Sequence, residues 1–347
     1  MVVTGLALLA ILALPTGRYL LRAAYEETRI LLRRKPIAHM VAHERLDAAT
    51  RAKLAIVLDA RAWADTALGL DAGRSFTYFS QLDSDTLVLV LSAAHRDRLA
   101  FHRWWFPVVG SVPYKGYFDF AAARREGSRF SALGFDVLIR PASAFSTLGW
   151  FSDPLMSTTL RADSLSLANT VIHEILHNEF YASGQAEFNE SFANFVGARG
   201  SAAFYSRRGS ARAAADAEAR WADEKLLAAF WRGLHHEMDS VFKAHPGDSL
   251  RDRRLALRDS VYGRAKTTLV RELGPKLRTV SPRYLERLTI DNATVLSGRI
   301  YLTDLDLFDS VYEREGRDVR RAVARILDLA RANPAQPFDA LRRFLAP

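Results

Sequence analysis

The chain has 347 residues, of which 49% are hydrophobic and 25% charged. That length and balance suit one large domain or two smaller ones with a sizeable core, and exclude disorder over most of the chain. The net charge of +9 comes mostly from Arg, but the basic clusters are broken by acids, as in Arg251-Asp252-Arg253-Arg254. This is the pattern of solvated helix faces, and no nucleic-acid partner is expected. There is no cysteine, so disulfides, thiolate metal sites, Cys nucleophiles and acyl-Cys anchors are excluded. A metal in this protein must use His and carboxylates.

Residues 2–14 are almost wholly apolar. The run is short beside the roughly 20 residues of a membrane span, and suits a signal-peptide core or a short signal anchor over residues 1–17. Basic residues follow the run (Arg18, Arg22, Arg29, Arg33, Arg34, Lys35) and none precedes it, which by the positive-inside rule favours a cytoplasmic main domain. Residues 18–35 have a mixed helical stripe that Pro36 stops. A second helix is expected over 47–68. The run 86–92 is a buried strand candidate, and 135–140 is another, ended by Pro141. Between them, 106–120 is rich in Gly, Pro and aromatics and reads as strand and loop; 146–154 reads as an aromatic loop. From residue 163 the pattern is helical: 164–181, 186–196, a long pair over 211–245 and 248–274, then 282–290 and 303–332. The expected class is α+β, mainly helical, with a small sheet and one domain over 18–347.

The chemistry is carried by Val171-Ile172-His173-Glu174-Ile175-Leu176-His177. Positions i and i+4 share a helix face, so two imidazoles can reach one ion at about 2.0–2.1 Å. Glu174 sits about 100° further round, outside close ligand range but suited to hold the attacking water as general base. Metal-activated water with Glu174 as base is hydrolytic chemistry of the peptidase kind. Gly184 stops the helix and lets a second one fold back. On it Glu190, among Phe188, Phe192 and Phe195, would complete a His, His, Glu site with a fourth position open. Glu187, one turn earlier, is the rival third ligand. Glu179 follows His177 too closely to point back.

His173-Glu174-x-x-His177 followed by Asn189-Glu190-x-x-Ala193 resembles the gluzincin metallopeptidases. The likeness is closer to a bacterial family of predicted zinc aminopeptidases, carried by 33–37 (Arg-Arg-Lys-Pro-Ile), 105–119 (Trp-Phe-Pro-Val-Val-Gly-Ser-Val-Pro-Tyr-Lys-Gly-Tyr-Phe-Asp), 144–154 (Ala-Phe-Ser-Thr-Leu-Gly-Trp-Phe-Ser-Asp-Pro), 188–193, and Asp291-Asn292-Ala293 with Tyr301. Phe145, Asn178 and Asp291 stand where Tyr, Gln and Asn are expected. The resemblance implies a gluzincin-like metallopeptidase domain with a two-helix zinc site, Glu190 as third ligand, and Zn2+ as cofactor. It also implies a peptide or protein substrate, and a cell-envelope location, periplasmic and membrane-anchored or secreted, with the membrane engaged through the N-terminal apolar segment. The loops would line the cleft. Tyr114, Tyr117 and Tyr301 are candidates for a phenol that stabilises the oxyanion, with Tyr301 preferred for its place near the Asn-Ala stretch.

Three functions follow. A zinc aminopeptidase needs a carboxylate for the substrate amine, and Asp153 is a candidate. A membrane-associated zinc endopeptidase or processing protease would use the same metal chemistry in a different cleft. A non-enzymatic metal-binding envelope protein would have no use for Glu174.

Overall fold

A computed structural model describes residues 15–106, 110–142 and 154–346. Helix α1 (Pro15–Leu32) leads through the short strand β1 (Lys35–Pro36) into α2 (Ile37–His43) and α3 (Ala48–Trp63), which a wider turn extends to Leu68. Strands β2 (Tyr78–Ser80), β3 (Val88–His95), β4 (Trp104–Phe106), β5 (Gly110–Val112) and β6 (Lys115–Tyr117) follow, then α4 (Phe120–Ala132), β7 (Phe135–Ala142) and β8 (Leu155–Met156). The rest is helical: α5 (Ser157–Leu160), α6 (Ser164–Glu179), α7 (Ala186–Arg207), α8 (Ala211–Ala244), α9 (Arg251–Thr267), α10 (Pro282–Arg287), α11 (Asn292–Tyr301), α12 (Leu305–Arg314), α13 (Val319–Ala332) and α14 (Pro337–Leu345).

The main core lies where α6 and α7 pack against α3, α12 and α13. The apolar side of α6 (Leu167, Val171, Ile172, Ile175) is fully buried, and Phe188, Phe192 and Phe195 of α7 meet Phe308 of α12. Each such aromatic stabilises the fold by about 1.5–3 kcal/mol through burial. Helix starts follow local chemistry. Asp47, Asp163, Asp291 and Asp318 each accept a hydrogen bond from the backbone N–H three residues on, capping α3, α6, α11 and α13. Asp291 does so as well as the expected Asn would.

Three small sheets flank the helices. β3 runs antiparallel to both β6 and β7; β1, β2 and β8 form a mixed sheet; β4 and β5 pair antiparallel. β7 continues through Pro141, which pairs with Leu89, because β7 is an edge strand and needs no outward N–H there. A buried polar knot ties this sheet to the helices. Arg258 of α9 pairs with Asp136 of β7, Asp136 accepts from the Asn292 N–H at the start of α11, and the Asn292 amide donates to the His95 carbonyl at 2.7 Å. Through that knot the sheet and α11 hold a fixed relation, which matters because α11 ends at Tyr301.

Some expectations change. α4 occupies a stretch, 120–132, for which the sequence pattern gave no helix. The stretch 303–332 is two helices, parted at Gly316, whose φ of 71° no helix accommodates. The expected membrane partner is corrected as well: among the described residues no helix is long and apolar enough to cross a membrane. α1 carries Arg22, Glu26 and Arg29 in ion pairs, one reaching Asp83, and its Ile30 is buried with Leu82, Val88 and Met156, so its far end docks on the protein. The apolar run 2–14 and the loop 146–153 lie outside the described residues.

Candidate metal centre

His173 and His177 project from one face of α6, as their spacing requires, with ring centroids 5.0 Å apart and planes at 80°. Their Nε2 atoms are 3.3 Å apart. The Glu190 carboxylate faces both, Oε2 at 3.6 Å from the His173 Nε2 and Oε1 at 3.8 Å from the His177 Nε2. Donors bound tetrahedrally at zinc-like distances of 2.0–2.2 Å sit about 3.3–3.5 Å from one another. The two imidazoles meet that spacing, and each carboxylate oxygen lies within a few tenths of an ångström of it from one of them. Two imidazoles and one carboxylate, all half-buried, thus form a cluster that could hold a metal ion.

The connection between the helices places Glu190. Gly184 takes a φ of 77°, and the buried Asn189 side chain both accepts from the Ala182 N–H at 2.9 Å and donates to the Ala182 carbonyl at 2.8 Å. The next residue then turns toward α6. Close approach of the helices depends on Gly197: a Cβ there would stand 3.0 Å from the Asn169 carbonyl oxygen and 3.2 Å from the His173 Cβ. Gly197→Val is therefore expected to lower stability by about 1–3 kcal/mol, the usual penalty for overpacking, and to weaken metal binding by moving His173 away from Glu190. Thermal unfolding and metal titration of the variant check this; unchanged metal affinity would mean that the helix spacing does not govern the site.

Charges in the cluster are coupled. Burial pushes the His173 imidazole down, but its polar contact with Glu190 and the charges of Glu174, Glu190 and Glu224 outweigh this and raise it. His177 is lowered, by burial and then by His173. Burial opposes ionisation of Glu190, yet the polar contact with His173 and the charge of His177 hold its pKa below the usual carboxylate range.

The other expected residues divide. Glu187 pairs with Arg299 at 3.0 Å, and Glu179 pairs with Arg331 and accepts from the Asp71 N–H, so both are engaged away from the cluster. Glu174 is half-buried and makes no hydrogen bond to any described residue, while its charge acts on His173, His177 and Tyr301. Tyr301 stands beside the cluster. Burial raises its pKa, Arg140 opposes the rise, and Glu190 and Glu174 add to it. α7 fastens that end of α11: Asn194 donates to the Tyr301 carbonyl at 2.6 Å, and Ser191 accepts from the Thr303 N–H at 2.9 Å. Tyr114 is exposed as a residue, but desolvation of its phenol, followed by the fields of Tyr301, Tyr181 and Glu190, raises its pKa and puts it at the mouth of the same site. Tyr117 packs elsewhere, under the β3 sheet with Leu91, Ala123 and Phe130. Asp153 lies outside the described residues.

Two site residues are not evident from motif reading. Arg140 of β7 donates to the Tyr301 hydroxyl at 2.9 Å. The only signal was a charged residue directly after the apolar run Val137-Leu138-Ile139. Glu224 of α8 lies on the buried side of that helix, one turn from Trp221, and lines a cavity of about 250 Å³ with Asn169, Ser201 and Arg220. Burial pushes its pKa up to about 7, against the pull of His173.

A protein-family model described as "Putative aminopeptidase" matches residues 18–341, nearly the whole chain. No curated protein and no solved structure matches it. With the metal cluster and the greater part of its length inside that match, the chain belongs to this aminopeptidase family.

Proposed function

We propose that the protein is a zinc-dependent peptidase and, within that class, an aminopeptidase. The observation that carries the reading is the convergence of the His173, His177 and Glu190 donor atoms beside an uncommitted Glu174 carboxylate. Zinc is favoured over calcium or magnesium because two of the three donors are imidazole nitrogens, whereas those ions prefer oxygen throughout. The family description supports the narrower term.

His173, His177 and Glu190 would hold the ion, which when bound supplies a Lewis acid that polarises a carbonyl and lowers the pKa of water. The remaining work falls to the chain. Glu174 takes a proton from the attacking water and delivers it to the departing amine. The Tyr301 phenol has one proton and two lone pairs; Arg140 occupies a lone pair, so the proton is left to donate to the developing oxyanion.

Hydrolysis of amino-acid arylamides tests the reading. Activity is expected with a free α-amine, to be lost on N-acetylation and on chelation, and to return with added zinc. Cleavage of N-blocked, internally quenched peptides in its place would select an endopeptidase. Activity that survives complete chelation would contradict the metal mechanism.

A further inference from the structure

We propose that Arg140 anchors a substrate carboxylate, so that the site takes short peptides whose free C-terminus reaches its guanidinium. This rests on the peptidase reading above and names the substrate class for it.

Arg140 stands near the end of edge strand β7, half-buried. Its Nη2 donates to the Tyr301 hydroxyl at 2.9 Å and its guanidinium carbon lies 5.3 Å from the centre of that ring. Among the described residues it makes no other hydrogen bond and no ion pair, and a guanidinium has five N–H donors. Other arginines withdrawn from water find strong acceptors among the described residues. Arg258 pairs with Asp136 and Asp259, Arg199 with Asp309 and Glu218, and Arg254 donates to the carbonyls of His245 and Gly247. A half-buried guanidinium whose hydrogen-bond acceptor among the described residues is a neutral phenol gains from a ligand that brings a carboxylate to it.

Position decides which anion. Arg140 donates to the Tyr301 hydroxyl, and the charge of its guanidinium acts on Glu190 and Tyr114. A group bound to Arg140 is therefore part of a molecule that also reaches the cluster. Glu174 and Glu190 close by disfavour a dianion such as phosphate. A planar monoanionic carboxylate matches the guanidinium fork and meets less repulsion. In a peptide that group is the C-terminus or an Asp or Glu side chain; a C-terminus lies within reach only when few residues follow the scissile bond.

Calorimetry on zinc-loaded Glu174→Gln protein, which should bind peptides without turning them over, separates these cases. The probes are leucyl-glycyl-glycine, its C-terminal amide, and leucyl-glutamyl amide, in which only the side chain is anionic. The acid is expected to bind about ten- to a hundredfold more tightly than its amide, the usual worth of a hydrogen-bonded charge. Adding Arg140→Gln should bring the acid down to the affinity of the amide, and Arg140→Lys should keep part of the difference. Equal binding of acid and amide in the presence of Arg140 overturns the anchor alone and needs no substitution at Arg140 to be seen. Tight binding of leucyl-glutamyl amide without preference for the free C-terminus overturns the short-peptide class. Binding of none of the three overturns the peptidase reading and the anchor with it.

Discussion

Glu174→Gln is expected to lower kcat by about 10²- to 10⁴-fold, the range that a positioned general base supplies. The exchange is nearly isosteric, and Glu174 makes no hydrogen bond to any described residue, so no polar network among those residues is broken. Stability should stay within about 0.5 kcal/mol of the parent, as for substitutions away from such networks. The metal should remain, because His173, His177 and Glu190 keep their geometry without Glu174. KM should change little if Glu174 acts on the water and not on the substrate. Full activity in the variant would remove Glu174 from the mechanism and leave a metal-binding protein of another kind.

Glu190→Gln is expected to cost more than activity. Glu190 is the one carboxylate in the donor cluster and interacts with both imidazoles. An amide offers the ion no charge and a weaker donor. Metal affinity should fall beyond the roughly 10- to 100-fold that loss of an outer-sphere partner alone causes, and hydrolysis should fall with it. Glu187→Gln is the matched control, one turn away on the same helix. It breaks only a partly exposed pair with Arg299, worth less than about 1 kcal/mol after solvent screening, and should leave metal content unchanged. Metal titration of the two variants checks both statements. Loss of metal in Glu187→Gln, with retention in Glu190→Gln, would reverse the ligand assignment.

The parts of the site legible in the sequence are those set by local periodicity. Four-residue spacing on α6 brings His173 and His177 to one face, and Gly184 marks the turn that returns α7 with Glu190. The choice between Glu187 and Glu190 was harder, because both lie on the first turns of one helix; the Asn189 clamp on Ala182 and the Arg299 partner of Glu187 are tertiary facts that separate them. Arg140 was not legible at all. Its meeting with Tyr301 spans 161 positions and depends on the Asp136, Arg258 and Asn292 knot and on the Asn194 contact. Helix α4 was missed for a related reason. Gly127 and Ser128 weaken its helical pattern, yet Gly127 is needed where a Cβ would stand 2.8 Å from the Ile139 Cδ1. At the N-terminus the apolar stretch drew attention to a membrane, while the described part of the chain there is an ion-paired helix whose far end docks on the sheet cluster.

The central claim is that this protein holds one catalytic metal between α6 and α7, and elemental analysis of the purified full chain tests it most directly. The account predicts close to one zinc per chain in the parent and in Glu174→Gln, and a large loss in His177→Ala. Absence of stoichiometric metal from a folded parent protein, even after incubation with zinc, would contradict it.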